Sequence, residues 1–316
     1  GKDRSSMDLG QSQRDSQSLS SSSSNRFYFS CKTSDSEYFT TILSVLQMRK
    51  EKQGAVFVLN DEGIKVTVEK DKILQASAYM KSSIFQEFKL GGGNKRDREF
   101  RIDLSILLDC LRVFGDSSHI RLTYEGEGEQ INLILENQGV ITECQINTLK
   151  GPKPYDFNFR SSILLNQASM KSKYLRDCFS ELDIPGADSV EIVMTPSAPF
   201  LSFSAKGDSV ACKIEFPNDE LSEVFDSFEC QKYCSNRYNM GLIQMCAKSL
   251  AKMPKSDTTM IQVNAEGMLK LQHVVRGKDG STNFISYLIV PMEYAGADDE
   301  VEEDQSQFHG ASLSFA

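Results

Sequence analysis

Histidine is scarce in this chain, and the spacings that usually accompany catalysis are scarcer. Its 316 residues hold three histidines, His119, His273 and His309, with no His-Glu-x-x-His and no Gly-x-Ser-x-Gly. The common zinc-peptidase and nucleophile-elbow classes are thereby excluded. Gly91-Gly92-Gly93 lacks a Gly-Lys-Ser/Thr ending, so it is read as a turn and not as a phosphate-binding loop. The eight cysteines form no Cys-x-x-Cys pair, and Cys230, Cys234, Cys246 and His273 match no zinc-finger spacing, so no metal site and no cofactor are expected. Cys110, Cys144, Cys178 and Cys246 sit in apolar runs, where a thiol behaves as a small hydrophobe. No apolar run is long enough to cross a bilayer, and residues 1–26 lack the apolar segment of a secretion signal. A cytosolic or nuclear setting is expected, with no membrane partner. Positive charge is also in deficit: the net charge of −9 argues against a protein that coats nucleic acid with its whole surface. One acidic pair, Asp35/Glu37, has the spacing to head a two-metal nuclease site, but acids at a polar helix start are better accounted for by the helix dipole.

What the chain does contain is a repeat. Arg101-Ile102-Asp103-Leu104-Ser105-Ile106-Leu107-Leu108-Asp109-Cys110 is echoed by Arg237-Tyr238-Asn239-Met240-Gly241-Leu242-Ile243-Gln244-Met245-Cys246. In each copy Asp or Asn, short side chains that accept hydrogen bonds from the free amides of a starting helix, precedes one apolar helical stripe. Duplication of a strand-into-helix unit follows. Residues 1–26, with a serine run from Ser20 to Ser24, bury almost nothing and are read as a disordered polar leader. From Phe27 the order is strand, helix, meander, strand, helix, meander, with Ser34 or Ser36 as cap of the first helix. Gly151, Pro152 and Pro154 mark a linker over 147–156. The order then recurs, with a strand at Phe157–Arg160, a helix around Ser169–Leu182, and the echo unit at Asn236–Met253. The expected domains are 27–146 and 157–295, followed by an acidic disordered tail, 296–316, in which 298–304 alone carries six acids. The fold class is α+β.

Charge is distributed unevenly over the helices. The stretches 36–52, 103–115, 169–183 and 241–256 carry +1, −1, 0 and +3, a net +3 in a chain of −9. Lys248, Lys252 and Lys255 recur at i, i+4, i+7, and Lys171, Lys173 and Arg176 gather at a helix start where the dipole favours acids. Arg49, Lys50 and Lys52 are read as the end of the first helix, where bases also complement the dipole. Basic helices in an acidic shell suit a protein that admits a polyanion at one surface and repels it elsewhere.

Together with this repeat, Tyr287-Leu288-Ile289-Val290-Pro291 before an acidic tail resembles the DNA sliding clamps related to proliferating cell nuclear antigen. Gly63-Ile64-Lys65-Val66-Thr67-Val68-Glu69, Ile84-Phe85-Gln86-Glu87-Phe88-Lys89, Leu107-Leu108-Asp109-Cys110-Leu111, Phe179-Ser180-Glu181-Leu182-Asp183 and Asn236-Arg237-Tyr238 resemble the Rad-one family of checkpoint-clamp subunits over about 27–295. The resemblance implies a sliding-clamp fold of two tandem pseudo-repeated domains, with antiparallel sheets outside and four helices lining the inner face. It implies a non-catalytic subunit of a nuclear heterotrimeric ring with Rad-nine-like and Hus-one-like subunits, placed on double-stranded DNA by a Rad-seventeen-type clamp loader and serving checkpoint signalling and repair. The alternative is a 3′–5′ DNA exonuclease. Residues expected to face DNA phosphates are Arg49, Lys50, Arg112, Lys171, Lys173, Arg176, Lys248, Lys252 and Lys255. Two edge strands are expected to meet neighbouring subunits: Val140, Ile141, Thr142, Cys144 and Ile146 on one, and Ser209, Val210, Ala211, Cys212, Ile214 and Phe216 on the other. A client pocket is expected from Leu149, Pro152, Tyr155, Leu288, Val290 and Pro291.

Overall fold

The computed structural model describes residues 28–50, 52–92, 98–115, 118–218, 223–253, 256–277 and 280–292. The first half runs β1 (Phe29–Thr33), α1 (Ser36–Ser44), β2 (Gly54–Asn60), β3 (Gly63–Lys70), β4 (Leu74–Lys81), β5 (Glu87–Leu90), β6 (Glu99–Asp103), α2 (Leu104–Leu111), β7 (His119–Tyr124), β8 (Ile131–Asn137) and β9 (Val140–Ile146). The second half repeats that order as β10 (Leu164–Lys171), α3 (Ser172–Glu181), β11 (Ser189–Met194), β12 (Leu201–Lys206), β13 (Ala211–Phe216), β14 (Phe225–Cys230), β15 (Cys234–Asn239), α4 (Met240–Lys252), β16 (Ser256–Asn264), β17 (Leu269–Arg276) and β18 (Thr282–Ile289).

All strand pairings are antiparallel, as connections this short require. The sheets are ordered β5-β1-β7-β8-β9, β14-β10-β16-β17-β18-β4-β3-β2-β6 and β13-β12-β11-β15. Each half therefore consists of a five-strand and a four-strand sheet, and the middle sheet arises where β18 of the second half pairs with β4 of the first. At that joint Phe284 faces Tyr79, Ser286 faces Ser77 and Ile289 faces Leu74. The helices pack inside each half, burying Leu104, Leu107, Leu108 and Leu111 from α2 and Leu242, Ile243, Cys246 and Leu250 from α4. Burying each such leucine contributes about 1.5–3 kcal/mol relative to leaving it exposed.

The repeated Asp/Asn starts behave as the sequence predicts. Asp103 Oδ1 accepts from Ser105 N at 2.9 Å, and Asn239 Oδ1 accepts from Leu242 N at 3.3 Å. Four expectations are corrected. The cap of α1 is Asp35, not Ser34 or Ser36: its Oδ1 accepts from Tyr38 N at 3.1 Å. The same helix ends at Ser44, so Arg49, Lys50 and Lys52 lie in the segment after it. Phe157–Arg160 is not a strand; Phe157 packs edge-on against Tyr155 while Asn158 takes φ 51°, and the strand is Leu164–Lys171, which includes Ser169 and Lys171 assigned above to a helix. Finally, β13 starts at Ala211, because Ser209 and Val210 belong to a tight turn in which Gly207 N donates to Val210 O at 2.8 Å.

Candidate nucleic-acid interface and assembly edges

The two halves correspond strand for strand in element order and in pairing, and the sheet edges then sort themselves. Edges β5 and β14 are counterparts, as are β6 and β15, and all four are terminal in their sheets. The remaining edges, β9 and β13, are different. Their counterparts are β18 and β4, which pair with each other. The molecule thus makes one such joint internally and leaves the strands equivalent to its two sides, β9 and β13, unpaired at the edges of two different sheets. On β9, Val140 is 57% and Ile141 66% exposed, while Cys144 is half-buried and Ile146 is buried. On β13, Cys212 and Ile214 pack partly on the core, Phe216 is buried and Ala211 is exposed; Val210 in the preceding turn is 47% exposed. Long apolar edges with unpaired backbone amides and carbonyls are templates for another strand.

Cationic side chains occupy the helix faces turned from the core. Lys248 and Lys252 project from α4, four residues apart, opposite its buried stripe. Lys173 is exposed on α3 with its Nζ 4.6 Å from the centre of the Tyr174 ring, and Arg176 is half-buried one turn on. Arg112 follows α2 and pairs at 3.8 Å with Asp109. Lys171 closes β10 and pairs with Glu223 at 3.2 Å. Lys50 is exposed beyond α1, and Arg49 points to the β3–β4 turn, where it pairs with Asp71 at 3.3 Å. Lys255 lies outside the described residues, and α4 stops at Lys252.

The residues expected to form one pocket around the linker fall to two separate grooves, one lined by linker residues 152–155 and the other by 156–161. The first is a groove of about 480 Å³ lined by Arg49, Lys52, Lys72, Arg101, Lys153 and Glu69, together with Pro152 and Tyr155. A second groove of about 600 Å³ includes Lys65, Arg160, Lys270, Tyr79, Phe284 and Leu288. Burial, and next the neighbouring Arg160, lower the pKa of Lys270. Leu149, Val290 and Pro291 line neither groove. Leu149 N instead donates to Arg101 O at 2.7 Å, and Val290 N donates to Ile73 O at 3.0 Å. Arg49 and Lys52 are singled out by the sequence for another place, and the other bases of these grooves are not, because they come from outward positions on separate strands and loops. The usable signal was strand alternation, which puts Lys65 and Thr67 on one face of β3.

The groups considered for zinc do not converge. Cys246 and His273 are buried, with His273 Nδ1 2.9 Å from Thr259 Oγ1, while Cys234 Sγ accepts from Asn166 Nδ2 at 3.1 Å. Among the described residues no three His, Cys, Asp or Glu side chains are grouped to hold a metal.

A family model for Rad1, described as "Repair protein Rad1/Rec1/Rad17", matches residues 28–275. The human protein named cell cycle checkpoint protein RAD1 is 35% identical over 273 residues, covering 84% of this chain and 90% of its own. The Drosophila melanogaster DNA repair protein Rad1 is 26% identical over 264 residues, covering 81% and 92%. The Schizosaccharomyces pombe DNA damage checkpoint control protein rad1 is 25% identical over 266 residues, covering 77% and 80%.

Proposed function

The chain belongs to the Rad1 family of checkpoint-clamp subunits, and from that premise we propose that it forms a nuclear heterotrimeric ring with Rad-nine-like and Hus-one-like subunits. The ring encircles double-stranded DNA at damaged or stalled sites, after a Rad-seventeen-type loader has opened it, and serves as a platform for signalling and repair proteins. The subunit itself is non-catalytic. One observation carries the reading: β9 and β13 are the unpaired counterparts of two strands that join inside the molecule. Repeating the β18–β4 geometry between chains, β9 of one to the β13-like edge of the next, propagates the same sheet and closes a ring when the rotation permits. The domain boundary falls in 147–156, between β9 and the coil that leads to β10.

DNA then passes the helices. Lys173, Arg176, Lys248 and Lys252 supply phosphate contacts that hold no base register. Lys50, Arg112 and Lys171 add charge nearby, the last two tempered by their ion pairs, whereas Arg49 is committed to Asp71 on the linker side. Clients dock on the outer face, where the two linker grooves offer bases beside aromatic rings. The exonuclease alternative is not favoured: Asp35, its leading residue, caps α1, and the relatives bear checkpoint and repair names. Native mass spectrometry of the complex isolated from its own cells is the test. One copy of this chain with two different clamp-like subunits is expected, and a homotrimer or a lone monomer would refute the proposal.

A further inference from the structure

In the second linker groove three bases meet that form no ion pair among the described residues: Lys65, Arg160 and Lys270. The floor is the outward face of the joint between the two halves. Register sets Lys65 beside Tyr79 and Tyr79 beside Phe284, and four residues further along it sets Leu288 between Gln75 and Lys270. The wall is the coil that leads to β10. There Asn158 takes φ 51° and its carbonyl accepts from Ser161 N at 2.9 Å, a turn that brings Phe159 and Arg160 to Lys270. Two of the ammonium groups lie over aromatic rings, Lys65 Nζ 5.3 Å from the centre of Tyr79 and Lys270 Nζ 5.8 Å from that of Phe159.

One acid, Asp156, shares the groove, and its Oδ1 accepts from Asn158 N at 2.9 Å within the turn. Three bases against one acid leave a net charge of +2. The first linker groove is different. There Arg49 pairs with Asp71 at 3.3 Å, Lys153 pairs with Glu99 at 3.9 Å, and the Arg101 guanidinium donates to Pro152 O. In the second groove Arg160 is exposed and Lys270 half-buried, and burial, then the Arg160 charge, make the Lys270 ammonium harder to keep. Two like charges held together in a partly dry place cost free energy until an anion joins them. Between this pair and Lys65 lie Phe284 and Leu288, half-buried apolar side chains at outward strand positions.

We propose that this groove binds a phosphorylated segment of a client protein, with a phosphoserine or phosphothreonine between Arg160 and Lys270 and a neighbouring apolar side chain on Phe284 and Leu288. The inference rests on the reading that clients dock beside the linker, and it adds the chemical group they carry. A phosphate monoester bears about −1.5 to −2 charges at pH 7 and three acceptor oxygens, which matches the charge of the groove. The guanidinium fork takes two of those oxygens and the ammonium takes the third as a point charge. A carboxylate brings half the charge and one oxygen fewer. A nucleic-acid strand fits less well, because it calls for bases that track successive phosphates. Here Lys65 stands three strands away from Lys270, about 14 Å at the usual strand spacing, with an apolar floor between them. Lys65 is thus placed to attract an acidic residue further along the same extended peptide. Phosphorylation of the client becomes the signal for docking.

Fluorescence anisotropy of the full chain with labelled peptides tests this apart from ring assembly. The probe is a pool of peptides of about nine residues, long enough to cross the groove when extended. Each has a central phosphoserine flanked by leucine, with the other positions degenerate, and matched pools carry serine or glutamate at the centre. The phosphorylated pool should bind about tenfold more tightly than the serine pool, with glutamate between them, as expected for charge-assisted hydrogen bonds. Arg160→Gln with Lys270→Gln should reduce that preference to about twofold or less, for want of both partners. Because Lys270 is half-buried against Phe159, the exposed Arg160→Gln alone is the variant that spares the packing, and it should lose about threefold. Equal binding of the phosphorylated and serine pools, or a preference untouched by these variants, overturns the proposal. Tighter binding of an oligothymidylate than of the phosphorylated pool overturns it too. Native mass spectrometry reads the ring separately: a preference that vanishes in the variants while no ring forms would support the groove and refute the clamp.

Discussion

His273 lies wholly inside the second half, against the Tyr287 ring and beside Thr259, and burial pushes its pKa down to about 3. It is therefore neutral in the folded chain at any pH where the protein works, whereas in the unfolded chain it titrates near 6.5. Between these values the unfolded state binds one more proton, so stability rises with pH; the contribution is complete above about 6.5 and is lost as pH falls toward 3. Its slope in that window is about 1.4 kcal/mol per pH unit. His273→Asn keeps a polar partner for Thr259 without the titration, and urea denaturation from pH 7 to pH 5 should show a slope shallower by about one proton. An identical slope in variant and parent would mean that His273 is not neutral in the fold. Asn166 is a second buried polar residue that organises its surroundings. Its Oδ1 accepts from Gln231 N and Lys232 N, and its Nδ2 donates to Lys232 O, so one side chain ties the β14–β15 turn to β10. Asn166→Ala removes the partner of Lys232 N and O and one of the two acceptors of Gln231 N, which also donates to Leu165 O, and should cost about 1–3 kcal/mol, with faster amide exchange at 232 as the local readout.

At the scale of elements, legibility follows the purity of the side-chain pattern. The bounds of β9 are the expected Val140–Ile146, and the two capped helices α2 and α4 could be read because Asp103 and Asn239 precede uninterrupted apolar stripes. The strand β10 was misplaced because one inward position of Leu164–Lys171 is polar: Asn166 is as buried as Ala168 and Met170, and only the turn it binds, far away in sequence, makes that tolerable. The end of α1 was overrun for a related reason. Gln53, from beyond the helix, folds back so that its Oε1 accepts from Met48 N and Arg49 N while its Nε2 donates to Leu46 O, and no local period announces such a contact. The bases at the helix starts were legible as charge against the dipole, whereas the groove bases require the sheet register. The same register argument yields the element-scale prediction. Ile141 is two-thirds exposed on the unpaired face of β9, so Ile141→Lys should leave the melting temperature of the isolated chain within about 2 °C. It should also abolish copurification with one of the two partner subunits while sparing the other. Loss of both partners, or of neither, would contradict an interface at that edge.

For the whole molecule the physical problem is holding a highly charged polymer without gripping it. A chain of −9 is repelled by DNA at a distance, and in the proposed ring the bases on the outward helix faces, Lys173, Arg176, Lys248 and Lys252, reverse the sign locally. Each such contact is phosphate-directed and screened, so affinity alone would vanish as salt rises, with the logarithm of the binding constant falling by about 0.9 per neutralised phosphate for each tenfold rise in salt. A closed ring adds a topological term that salt does not touch. Two outcomes follow for the loaded heterotrimer. On covalently closed circular DNA it should survive a wash at about 1 M salt, where the screening length is about 3 Å, and it should be released when the circle is cut once. With Lys248→Glu and Lys252→Glu together, assembly should be intact, loading at low salt should fall several-fold, and the salt slope for initial association should be shallower by about two, one for each lost phosphate contact. Ring topology and helix charge are thus separable: retention that ignores the cut would argue against encirclement, and loading that ignores the charge reversal would place α4 away from the DNA.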